Sequence, residues 1–116
     1  MSTLNVANIT DGTDTLETGY VLNGSAKAHA NISIAFAIQG SFNTASVVDN
    51  AAGDLSVNFT NSMSDTSYTI SANSAGALTM AAGFSVSASQ YRIRMFNTNA
   101  SYSDRATMSS THGDLA

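Results

Sequence analysis

The chain has 116 residues, a formal net charge of −4 and a sequence pI near 4.6. Four basic residues, Lys27, Arg92, Arg94 and Arg105, are too few for a phosphate-neutralising stripe, which argues against nucleic-acid binding. No apolar run approaches the roughly 20 residues of a membrane-spanning helix, and the absence of cysteine removes disulfides and thiolate metal sites.

Valine, isoleucine, leucine and phenylalanine total only 23, while 18 residues are alanine. Such a composition builds a thin core, and a thin core leaves little to offset chain entropy. Low net charge argues against disorder. A folded chain that gains burial from copies of itself is the expectation. Serine, threonine and asparagine together number 42, which suits turns and water-facing strand surfaces.

Residues 1–27 carry short apolar clusters, Leu4, Val6 and Ile9, then Leu16, then Tyr20, Val21 and Leu22. Turn signals "DGTD" and "NGSA" separate them. This stretch cannot form a core alone, and a β-rich neck or stalk is expected. From Ala30 a period of two begins. It places Ile32, Ile34, Phe36 and Ile38 on one face of a single predicted strand, broken by "QGSFN" at 39–43. "TASVV" (44–48) reads as a short strand. "DNAAGD" (49–54) is a hairpin loop in which Gly53 suits a bulge position. Leu55, Val57 and Phe59 alternate again. "TNSMSDTS" (60–67) turns, Tyr68 and Ile70 begin a strand, and "NSAGA" (73–77) turns once more. Leu78, Met80, Phe84 and Val86 follow. Gln90–Phe96 is a strong strand, with Tyr91, Ile93 and Met95 on one face and Arg92, Arg94 and Phe96 on the other. "NTNASYSD" (97–104) is a loop, and the end, "RATMSSTHGDLA", is weakly strand-like. No window has helical periodicity. Seven or eight short strands with turns about every ten residues predict an all-β fold, a small antiparallel sandwich or barrel-like head over 28–116.

Three segments carry a resemblance: Asn23–Ala28 (NGSAKA), Ser41–Phe59 (SFNTASVVDNAAGDLSVNF) and Met63–Ile70 (MSDTSYTI). They resemble a module at the end of many tail-fibre proteins of marine bacteriophages. Tyr91–Ile93, the Asn97–Asn99 loop, Asp104 and His112–Gly113 are similar to the end of that module. The chain departs from it at His29-Ala30-Asn31-Ile32, where the family carries Trp-Val-Asn-Phe. The resemblance implies a homotrimeric fibre or spike in the virion, displayed outward and contacting a host-surface glycan or protein. Residues 1–27 are then expected to act as anchor and neck of a short stand-alone fibre, holding other virion proteins. The alternative is a purely structural decoration or tail component that touches only virion proteins.

Asn97, Asn99 and Tyr102 form the expected receptor-contacting loop, an aromatic ring beside adaptable amides. The plainer reading is an exposed loop whose tyrosine folds back onto the sheet. Arg92 and Arg94, at i and i+2 on one strand face, are expected either to pair with aspartates between subunits or to recognise an acidic sugar. A solvated strand face is the plainer reading there. Asp49, Asp54 and Asp65 read as turn-capping residues. His29 and His112 are expected to be polar surface residues, and no metal or cofactor is expected. Catalysis has little support, because no nucleophile elbow, no HExxH and no suggestive carboxylate pair occurs, and a small depolymerase is the remaining alternative.

Overall fold

The computed structural model describes residues 2–116. These residues form ten strands and one short helix: β1 (Asn8–Thr10), β2 (Thr15–Glu17), α1 (Thr18–Gly24), β3 (Ala28–Ile32), β4 (Ile38–Phe42), β5 (Thr44–Ala51), β6 (Asp54–Phe59), β7 (Thr69–Ser74), β8 (Thr79–Ser87), β9 (Gln90–Asn97) and β10 (Thr107–His112). The fold is all-β and antiparallel. Two four-stranded sheets, ordered β4-β3-β10-β7 and β5-β6-β9-β8, face each other. The chain passes from one sheet to the other between β4 and β5, β6 and β7, β7 and β8, and β9 and β10.

Alternation decides which side chains meet between the sheets. Leu55, Val57 and Phe59 on β6 and Tyr91, Ile93 and Met95 on β9 are buried. Opposite them lie Ala28, Ala30 and Ile32 of β3, with Met63 and Tyr68 closing one end. The Phe59 ring meets Tyr68 edge-on at 5.5 Å and Tyr91 at 5.3 Å. The Tyr68 hydroxyl reaches the carbonyl oxygens of Ser87 and Gln90, at 2.9 and 2.7 Å, and so ties the β8–β9 hairpin end to the core.

The central strand β10 turns Thr107, Ser109 and Thr111 inward, all buried. It pairs with both β3 and β7. The last segment of the chain is therefore the middle of a sheet, though its hydroxyl-bearing inner face gives almost no hydrophobic period. Tyr91 and Ser109 hydroxyls bond at 2.8 Å, while Thr107 and Thr111 Oγ1 atoms are buried without a partner. On the β7–β8 side, Gly83 lets the sheets close. A Cβ there would stand 2.5 Å from Ile70 Cγ2.

The single strand expected from Ala30 to Ile38 is not formed. Ser33 N–H donates to the Ala37 carbonyl and Phe36 N–H to the Ser33 carbonyl, both at 2.9 Å, while Ser33 Oγ accepts from Ala37 N–H at 3.1 Å. Phe36 takes φ +61°. The chain reverses here, so β3 and β4 form a hairpin. Ile32 is buried, Phe36 packs partly against the core, and Ile34 and Ile38 are exposed. A serine side chain that satisfies a nearby backbone donor competes with the ladder, and here it overrides the alternation.

Residues 2–27 contain no buried side chain. β1 and β2 form a two-stranded hairpin whose turn is capped by Asp11 Oδ1, accepting from Thr13 and Asp14 N–H at 2.9 Å each. Where a β-rich neck would continue as strand, Thr18–Gly24 form the helix α1 instead. Leu4, Ile9, Tyr20 and Leu22 are all at least half exposed. The radius of gyration, 16.6 Å, exceeds the about 13 Å of a compact chain of this length. The chain measures 52 × 29 × 25 Å.

Candidate functional site

All five residues singled out from the sequence lie on β9 or in the loop after it. Arg92 and Arg94 project from the outer face of the β5-β6-β9-β8 sheet, opposite to the buried Tyr91, Ile93 and Met95. The ladder register sets Asp54 directly across from Arg94 and one step diagonal to Arg92. Arg92 forms a bidentate pair with Asp54, Nε to Oδ1 at 3.0 Å and Nη2 to Oδ2, and Arg94 Nε donates to Oδ2 at 3.3 Å. The expected inter-subunit pairing is thus met inside one chain. Asp54 is no turn cap, as its position after the hairpin suggested, but the shared acceptor of two guanidiniums. Asp65 does cap a turn, through Ser67 N–H at 2.7 Å.

Burial by itself would raise the Asp54 carboxyl. Hydrogen bonds from Arg92, Asn50 and Arg94, with the charge of Arg92, outweigh it and hold the group below the ordinary aspartate value. Asn50 Nδ2 bridges Asp54 Oδ1 and Ser56 Oγ at 3.2 and 2.8 Å. Phe84, on β8, lies under both guanidiniums, with Cζ of Arg94 at 5.2 Å and of Arg92 at 5.9 Å from the ring centroid. Phe84 is partly exposed, and Met80 and Val86 beside it on β8 are about half exposed. These apolar residues of β8 face outward, while Ala81 and Gly83 face the core side.

Tyr102 rises at the rim of this patch, 55% exposed, with its ring edge-on to Phe96 at 6.5 Å. The plain reading of a tyrosine resting on the sheet therefore holds in part. Ala51, Ala52, Asp54, Arg94 and Tyr102 together line an open cavity of about 220 Å³. Asn97 and Asn99 do not line it. Asn97 Oδ1 is engaged within its own loop, accepting from Asn99 and Ser101 N–H at 2.9 and 3.1 Å, and Asn99 is exposed beyond it.

The walls of the cavity are clamped. Asp104 Oδ1 accepts from Gly53 N–H at 2.6 Å, and Met95 N–H donates to the Gly53 carbonyl at 2.8 Å. The β5–β6 turn is thereby fixed to the loop that carries Tyr102, across 51 positions of sequence. Gly53 adopts φ +65°, and a Cβ there would fall 2.5 Å from Met95 O and 2.7 Å from Ser103 N. Sequence reasoning named Gly53 and Asp104 as motif positions and missed their contact. It also missed Phe84, which supports both guanidiniums beside the cavity.

Compared with known protein families, curated proteins and solved structures, the chain has no significant match.

His29 is exposed on β3 and lies near-parallel to the Phe42 ring at 6.3 Å. His29 therefore lies on the outer face of the other sheet, away from the Arg–Asp patch. His112 ends β10 and is half-buried. No group of three or more metal-ligating side chains occurs among the described residues.

A second feature lies in the N-terminal segment. Leu4, Val6, Ile9, Val21 and Leu22 line an open groove of about 330 Å³. α1 spans seven residues, has no side-chain cap at its N-terminus, is capped at the other end by Lys27 Nζ on the Leu22 carbonyl, and buries nothing. Isolated helices of that length are unstable in water without packing of an apolar face.

Proposed function

We propose that this chain is a non-enzymatic fibre or spike head of a bacteriophage virion. It is a homotrimer whose segment 1–27 intertwines and anchors to other virion proteins, and whose sandwich contacts a host-surface glycan or protein. The observation that carries this reading is the unburied apolar surface of residues 2–24, on elements too short to hold their shape alone. A single copy leaves Leu4, Ile9, Tyr20 and Leu22 at least half exposed. Equivalent grooves of neighbouring copies would cover them.

The outward patch supports the binding part. Rigid aromatic and guanidinium groups on a sheet, held by a locked turn, form a surface that needs little ordering on contact. Three copies give avidity from weak individual contacts. The Asp54 carboxylate, shared by two guanidiniums, is held ionised and suits a structural more than a proton-transfer role. Binding of fluorescently labelled protein to candidate host cells tests the reading. Retention on cells is expected. Retention only on capsids or tails would replace it with the structural-decoration alternative.

A further inference from the structure

On the outer face of the β5-β6-β9-β8 sheet, two guanidiniums share the Asp54 carboxylate, while the Asp104 carboxylate is taken up by the Gly53 N–H in the clamp behind the cavity. Arg92 is occupied by its bidentate pair. Arg94 gives only Nε to Asp54, and its two terminal nitrogens have no protein partner among the described residues. Its side chain is 45% exposed and borders the cavity beneath Tyr102.

We infer that this cavity is a subsite for a carboxylated sugar ring, with Arg94 taking the carboxylate and Tyr102 packing against the ring's C–H face. The inference rests on the receptor-binding reading and names the chemistry of its ligand.

Four features argue for that class. A terminal guanidinium edge presents two parallel N–H donors, the geometry that a carboxylate accepts in pairs. The Phe84 ring and the Nε–Asp54 bond fix the plane of the Arg94 group, so little rotamer freedom is lost on binding. The volume of about 220 Å³ lies below the range of drug-sized pockets and suits one ring rather than a chain segment. Ala51 and Ala52 keep the floor open, and Tyr102 supplies an apolar face with a polar tip, the pairing of properties a pyranose also has. An acidic peptide would satisfy Arg94 but leave the aromatic wall without a flat partner.

The test is titration of the isotopically labelled full chain by NMR, with galacturonate, glucuronate, galactose and N-acetylglutamate. Either hexuronate should shift the amides of Ala51, Ala52, Asp54, Arg94 and Tyr102. Galactose, lacking the charge, should bind at least about tenfold more weakly, the scale of one charge-assisted hydrogen-bonded contact. N-acetylglutamate should also bind more weakly. Arg94→Gln should abolish the preference for hexuronate over galactose, and Tyr102→Ala should weaken both sugars together. Thermal midpoints of both variants report folding. Neither hexuronate shifting those amides, equal binding of hexuronate and galactose, N-acetylglutamate binding as tightly as hexuronate, or folded variants that bind like the wild type would each overturn the inference. Cell binding separates the two levels. Cells bound equally by wild type and Arg94→Gln would remove the subsite and leave the receptor reading. Selective hexuronate binding with no retention on any cell would do the reverse.

Discussion

Replacing Gly53 with alanine probes the clamp that shapes the candidate site. Gly53 has φ +65°, yet the chain holds Phe36, Leu78 and Ala100 at φ 61°, 61° and 58°. The left-handed backbone alone therefore costs little, about 1 kcal/mol for an alanine. Steric crowding contributes more. The new Cβ would stand 2.5 Å from Met95 O and 2.7 Å from Ser103 N, both backbone atoms that cannot rotate away. Relief requires the turn to withdraw from β9, with loss of the Met95–Gly53 and Gly53–Asp104 hydrogen bonds. The second of these is charge-assisted, and losing both adds about 2–3 kcal/mol. The expected total is about 3–4 kcal/mol. Urea unfolding at fixed protomer concentration measures it, because association would otherwise shift the midpoint. Gly40→Ala serves as the control, since its Cβ would meet nothing within 4 Å. It should change stability by no more than about 0.5 kcal/mol. A Gly53→Ala chain within that same margin of wild type would refute the reasoning.

Thr111→Val replaces a buried, unpartnered hydroxyl with a methyl of the same shape, and should stabilise the fold by about 1 kcal/mol in the same urea assay. The Asp54 carboxyl titrates below its ordinary value near 3.8 in the folded chain, so its stabilising contribution is complete at neutral pH. That contribution fades as pH falls past 3.8 and through the lowered folded value, and an Asp54→Asn chain should show a shallower acid limb in a stability–pH profile. Burial pushes the Tyr91 phenol up, with a smaller opposing effect from Ser109. The folded phenol therefore keeps its proton longer than the unfolded one, and its contribution, complete below pH 10, is lost as pH rises from there through the raised folded value. Tyr91→Phe should lose about 1 kcal/mol at neutral pH and show less alkaline destabilisation than wild type above pH 10, read by thermal melting.

The parts of the fold legible in the sequence are those where one sheet face is apolar and the other polar. Leu55, Val57 and Phe59, and the Tyr91–Ile93–Met95 set, lie where their alternation puts them. β10 defeats that signal because Thr107, Ser109 and Thr111 face the core with hydroxyls. Ile34 and Ile38 defeat it in the opposite sense, continuing an apolar alternation through a turn that Ser33 enforces. α1 has seven residues, too few for a helical period to register. At the candidate site, alternation puts Arg92 and Arg94 on a common face but names no partner. Pairing depends on which residue of β6 stands opposite, and strand register is set by the whole sandwich. For the same reason Tyr102 and Arg94 come together at the cavity, while Asn97 and Asn99 fold into their own turn.

Sedimentation equilibrium of the intact chain at micromolar concentration bears most directly on the account. Three times the 11.9 kDa chain mass is expected, falling toward a single chain when Leu4, Ile9 and Leu22 are replaced together by serine. A wild-type chain that sediments as a monomer, with α1 intact, would contradict the claim that copies cover the apolar surface of residues 2–24.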